Sequence, residues 1–297
     1  MFEGFRRSST RRSLVGLTAI AACATLAAAA ATAALADPPP ALFAGGTNGI
    51  VFVHGAGHGK PNRGGAPLVY HNGPVMTSGA EVKSIFWGSS WSANAGDKIT
   101  GLDSFYNGVG GSAYAGTNTE YTDTSTLHVT GGVTYKNHAL DSSSAVTGGP
   151  PSTSQVLAVV ARNIGSSAVS NGYYPVYSDQ KRGNAGYCAW HSWGYVGSTL
   201  VQFAFFFNLD GDPGCDPGDT SGLHSQGLAA LANVSGHELS EAFTDPHGNA
   251  WYDNSGNENA DKCAWKFNSN LLTLSNGSQW KIQGNWSNAA SGCIDGN

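Results

Sequence analysis

A chain of 297 residues with 15 basic and 20 acidic side chains, and only 12% charged positions, has no basic surplus to neutralise phosphates. That excludes nucleic acid as an expected partner. Abundant glycine (41 residues), scarce Lys and Glu, and five cysteines describe an extracellular, loop-rich protein rather than a helical cytosolic one.

The chain opens with Arg6, Arg7, Arg11 and Arg12, then an apolar, Ala-rich run over 14–30 and a small-residue Ala34-Leu35-Ala36 site. This is the pattern of a signal peptide over 1–36. Arg11-Arg12-Ser13-Leu14-Val15 looks like a twin-arginine signal, so export by either the Sec or the twin-arginine route is expected. Cys23 sits in a lipobox-like context, but more apolar sequence follows it than a lipoprotein tether needs. The apolar run is short and gives way to prolines, so no membrane association is expected after cleavage. Cleavage removes four arginines and one glutamate, which leaves a net charge near −8.

Residues 37–68 are rich in Pro and Gly and read as an irregular lead-in. Within them, Val51-Phe52-Val53-His54-Gly55 resembles a hydrolase oxyanion loop. No G-x-S-x-G elbow exists to supply a nucleophile, which removes serine hydrolysis. Strands are expected over 81–87, 124–133, 173–177 and 199–208, and helices over 97–109, 155–164 and 221–243. Alternating strands and helices predict an α/β fold, a single layered domain with a mixed sheet over 69–297. Asp210, Asp212 and Asp216 form an acidic glycine-rich loop that could hold calcium but lacks the spacing and closing Glu of an EF-hand. Of the three pairings open to the four remaining cysteines, proximity favours Cys188–Cys215 and Cys263–Cys293.

The longest expected helix carries Ser235-Gly236-His237-Glu238-Leu239-Ser240-Glu241. His237 and Glu241 are one turn apart on one face. That is the spacing with which H-E-x-x-H helices bind zinc, the intervening Glu acting as general base. Leu228, Leu231, Ala232, Leu239, Ala242 and Phe243 share the opposite, apolar face. The site face has no Lys or Arg, so a carboxylate there calls for a cation or strong donors. Thr244-Asp245-Pro246 stops the helix. Downstream, Glu258 and Asp261 are alternative third ligands. His191, among Trp190, Trp193 and Tyr195, is either a satisfied core histidine or a further ligand or catalytic group.

The run from Ser235 through Asp245-Pro246, Asn249-Ala250-Trp251-Tyr252, Glu258, Ala260, Asp261 and Cys263 resembles the phosphate-induced / EXORDIUM family. Tyr70-His71-Asn72-Gly73-Pro74-Val75 and Tyr187-Cys188-Ala189-Trp190-His191 resemble two of its other segments, with Ala189 where Gly is usual. The resemblance implies an extracellular protein linked to growth and cell-wall responses, without fixing a reaction.

Two functions are expected from the residues. In the first, a zincin-like metallohydrolase acting on a peptide or wall-associated substrate, His237, Glu241 and Glu258 or Asp261 hold zinc and Glu238 takes the proton of the attacking water. A Glu in place of the second His makes the site more anionic and more hospitable to calcium or manganese. In the second, the acidic cluster is a structural ion site in a non-catalytic wall-, carbohydrate- or protein-binding module. Glycoside hydrolysis ranks last, because Glu238 and Glu241 are too close to straddle a sugar ring.

Overall fold

The structure, a computed structural model, describes residues 44–55, 65–146 and 148–296. The expected signal peptide, the twin-arginine run and Cys23 lie outside the described residues.

Six strands form one mixed sheet. They are β1 (Asn48–Phe52), β3 (Ala80–Trp87), β4 (Val133–Asp141), β5 (Gly172–Lys181), β6 (Tyr187–Val196) and β7 (Thr199–Asn208), in the order β1-β6-β7-β5-β3-β4. β4, β3, β5 and β7 are parallel, and β6 runs antiparallel to both β7 and β1. A short strand β2 (Val69–Tyr70) pairs with β8 (Trp251–Tyr252). The C-terminal part adds two small hairpins, β9 (Leu272–Thr273) with β10 (Gln279–Trp280) and β11 (Asn285–Ser287) with β12 (Gly292–Ile294).

The helices are α1 (Trp91–Asn94), α2 (Lys98–Val109), α3 (Ala113–Gly116), α4 (Thr153–Ile164) and α5 (Gln226–Thr244). Parallel crossovers are right-handed as a rule, and the steps from β3 to β4 and from β4 back to β5 run in opposite directions along the sheet, which puts α2 and α4 on opposite faces. The α2 face also receives α5: the Tyr177 hydroxyl of β5 meets the Tyr106 hydroxyl of α2 at 2.9 Å and Ser235 Oγ of α5 at 2.8 Å. Covered on both sides, β7 buries every residue from Val201 to Phe207, which is why its sequence is almost continuously apolar.

Three expectations change. The lead-in is not irregular throughout, because Asn48–Phe52 pairs with β6 as an edge strand. Glycines and a register shift hide it from an alternation pattern. The strand expected over 124–133 begins only at Val133, after loop that Asp123 organises by accepting the Ser125 and Leu127 amides. Finally, the helix expected over 221–243 runs from Gln226 to Thr244; its N-cap is Ser225, whose side chain accepts the Leu228 amide, and every residue from Gly227 to Thr244 is buried. One side faces the sheet and the other faces Asn118, Gln283 and Asn285. A helix with polar residues buried on its second face needs built-in partners, and the C-terminal segment supplies them.

Both expected disulfides are present, Cys188–Cys215 and Cys263–Cys293, and they fit an oxidising, extracellular setting. Among the described residues no helix is long and apolar enough to cross a membrane. The second bridge spans 30 residues and anchors the turn beside Asp261. Replacing Cys263 and Cys293 together by Ser is expected to cost about 3 kcal/mol in a denaturant melt, and to loosen Asp261 with it.

Candidate metal centre

Helix α5 delivers His237, Glu238 and Glu241 to a site bounded by β1, β6 and the loop after β8. His237 Nε2 is 3.0 Å from Glu241 Oε1 and 3.5 Å from Asp261 Oδ1. Asp261 opens a short 3-10 turn, Asp261–Cys263, and its backbone N–H donates to Glu241 Oε1 at 2.9 Å. Its Oδ2 accepts the Glu258 amide at 3.2 Å, which fixes the two acidic residues relative to each other. From β6, His191 Nε2 reaches Glu258 Oε2 at 3.3 Å and Glu241 Oε2 at 3.9 Å.

The five expected ligand residues thus converge, in two groups of three: His237, Glu241 and Asp261, and His191, Glu241 and Glu258. Within each group the ligand atoms lie within 4.8 Å of one another. Ligand atoms at ~2.0–2.2 Å from a tetrahedral ion sit about 3.4 Å apart, so these spacings suit a metal's first shell. Glu258 and Asp261 are not interchangeable. Asp261 belongs with His237, and Glu258 with His191.

Burial dominates the electrostatics. It lowers the His191 pKa to about 3, helped by the charges of His237 and His247, so His191 stays neutral, as a ligand must. Burial and then the charge of Asp261 raise Glu241 to about 7, against the attraction of His237. Glu238 and Glu258 are pushed well above the carboxylate range, first by burial and then by their acidic neighbours. Asp245, where the helix ends, is raised to about 6 by burial despite accepting the Asn249 and Ala250 amides.

Several buried atoms here have no hydrogen-bond partner: both carboxylate oxygens of Glu238, Glu241 Oε2, His237 Nε2 and His191 Nδ1. The Val51 amide lies close enough to favour charge on Glu238, but outside hydrogen-bond geometry. His237 Nε2 is likewise near Glu241 without being aligned to it. An ionised carboxylate buried without donors is costly, and a cation between these atoms would remove that cost.

Gln283, which no sequence signal singles out, sets the His237 ring. Its Oε1 accepts the Trp265 amide, and its Nε2 donates to the Ala260 carbonyl and to His237 Nδ1, each at 2.9 Å. Burial opposes charge on His237, yet Glu241, Asp261 and Glu238 hold its pKa well above the usual value. The extra ring proton those carboxylates favour has no place at Nδ1 while the amide nitrogen points there. An ion at Nε2 also requires a proton on Nδ1, and Gln283 must then turn its oxygen toward the ring.

Gly49 on β1 was equally invisible. Its φ is +47°, and a methyl group on its Cα would overlap Glu241 Oε2 and the His191 ring. Asn48-Gly49 signals only a turn in the sequence; the reason for the glycine is the close approach of backbone to the cluster.

A cleft of about 420 Å³ adjoins the centre, lined in part by Asn48, Gly49, Asp245, Tyr252, Glu258 and Asp261. His191, His237 and Glu238 do not line it. A larger cavity of about 480 Å³, near Trp87, Lys181 and Phe207, contains none of the candidate ligands.

No family model and no curated protein matches this chain. The resemblance to the EXORDIUM family therefore rests on its motif residues alone. The acidic loop considered for calcium is committed elsewhere: Asp210 pairs with Lys98 at 2.9 Å, Asp212 with Arg182 at 2.6 Å, and Asp216 accepts the Gly218 amide.

Proposed function

We propose that the protein is an exported, zincin-like metal-dependent hydrolase of peptide bonds, with zinc, or manganese in its place, at His237, Glu241 and Asp261. The observation that carries this reading is the His237-Glu241-Asp261 nest, in which His237 and Glu241 are fully buried and His237 Nε2 has no hydrogen-bond partner. Bound there, the ion would polarise the scissile carbonyl. Glu238 accepts the proton of the attacking water, and Asp261 and Glu258 present the centre to the cleft. The cleft runs beside β1, whose outer edge pairs with no further strand among the described residues, and such an edge accommodates an extended peptide. The EXORDIUM resemblance, with the cell-wall context it implies, supports a wall-associated polypeptide as the substrate.

Glu238→Gln keeps the size of the side chain and removes its basicity. It is expected to lower hydrolysis of unstructured peptides by at least about a hundredfold while zinc content stays unchanged. Zinc- and manganese-loaded protein without hydrolysis, or Glu238→Gln with full activity, would remove the enzyme reading.

One observation favours a second reading, a structural ion in a non-catalytic wall-binding module. His191, His237, Glu238 and Glu241 are wholly buried, so only Glu258 and Asp261 meet solvent. That reading expects metal to raise the melting temperature with no turnover.

A further inference from the structure

We infer that the centre is dinuclear, with Glu241 bridging two divalent cations: one at His237 and Asp261, the second at His191 and Glu258. This rests on the metal-centre reading above and extends it to a second ion. Glu241 points its two oxygens in different directions. Oε1 is 3.0 Å from His237 Nε2, and Oε2 is 3.9 Å from His191 Nε2. The two histidines share no common group, so a single ion does not gather all five residues. Each nest instead has the same make-up, one imidazole nitrogen, one Glu241 oxygen and one further carboxylate. A bridging carboxylate holds two metals about 3.5–4 Å apart, the spacing of two-metal hydrolytic sites.

Charge supports the count. Glu238, Glu241, Glu258 and Asp261 carry four negative charges when ionised, and among the described residues no Lys or Arg pairs with any of them. One divalent cation leaves half of that charge uncompensated in a buried site; two match it. The second nest also has its own orphan, since Glu241 Oε2 is buried, unpartnered and turned toward His191. With one nitrogen and two oxygens each, both nests suit manganese or zinc. The second should bind more weakly, because Gln283 lies against His237 Nδ1 and holds that ring once its oxygen is turned to it, whereas His191 Nδ1 has no partner, and outer-shell partners change metal affinity by roughly 10–100-fold.

The test is to strip the full exported chain with chelator, load it with manganese, and measure bound metal and the electron paramagnetic resonance spectrum. Wild type is expected to hold two equivalents with an exchange-coupled signal, released in two steps by graded chelator. His191→Ala and Glu258→Gln, each checked for folding by near-UV circular dichroism, should hold one equivalent with an uncoupled signal. One equivalent in wild type, unchanged in both variants, overturns the dinuclear centre and leaves the mononuclear reading standing. Two equivalents that survive in both variants overturn the assignment of the second nest. No bound metal overturns both proposals.

Discussion

With chelator present, the melting temperature falls as pH rises from about 4.5 toward 7, and saturating manganese or zinc abolishes the fall. The sign follows from which state holds the protons. Glu241 has an ordinary value of 4.5 and about 7 in the fold, so between those values the folded chain is protonated there and the unfolded chain is not. Stability is fully present below 4.5 and is lost as pH climbs through 7. Glu241 by itself contributes on the order of 3 kcal/mol to this loss. Glu238 and Glu258, raised further, act in the same direction to higher pH. His191 opposes them, because its depression from 6.5 to about 3 costs stability as pH falls through that interval. It is outnumbered. Asp141, Asp212 and Asp253, all lowered, act only below the ordinary aspartate value of 3.8. Metal binds the deprotonated ligands, so the gain in melting temperature on adding metal should be small near pH 4.5 and large at neutrality. Calorimetry at three pH values, with and without metal, measures it. A flat or rising profile in chelator would mean that the buried carboxylates are compensated by something other than a metal.

Gly49→Ala is expected to cost at least tenfold in affinity at the His191-Glu241-Glu258 nest and about 1–3 kcal/mol in stability. The backbone contribution is the left-handed φ, worth roughly 1–2 kcal/mol for a residue with a Cβ. The larger consequence is steric, since the added methyl overlaps the bridging carboxylate and the second histidine. Either β1 lifts from β6 or Glu241 leaves its position. Gly46→Ala, whose methyl would meet nothing within 4 Å, is the control. Equal metal uptake and equal melting temperatures for the two variants would show that β1 does not roof the centre.

Much of the centre was legible because its signals are local. His237 and Glu241 are four residues apart on a helix whose buried face needs a cation, and Glu258 and Asp261 follow within a short loop and its disulfide. Helix α2, helix α4 and strand β7 follow the periodicity of their apolar residues closely. The misreadings are equally physical. Helix α5 starts at Gln226 and not at 221, because the side chain of Ser225 caps it by accepting the Leu228 amide. Strand β6 alternates poorly because it is buried on both sides.

By itself the sequence predicted the α/β alternation, favoured the two cysteine pairings by proximity, and named the residues able to hold a metal. Only the tertiary structure decided how those residues divide. His191 and Gln283 each lie 46 residues from His237 in the chain, and Gly49 is further still. Nothing local correlates residues at that separation; the order of strands β1-β6-β7 and the packing of the C-terminal segment on α5 bring them together. That long-range arrangement gives Glu241 a histidine on each side. The helix alone supplies only one.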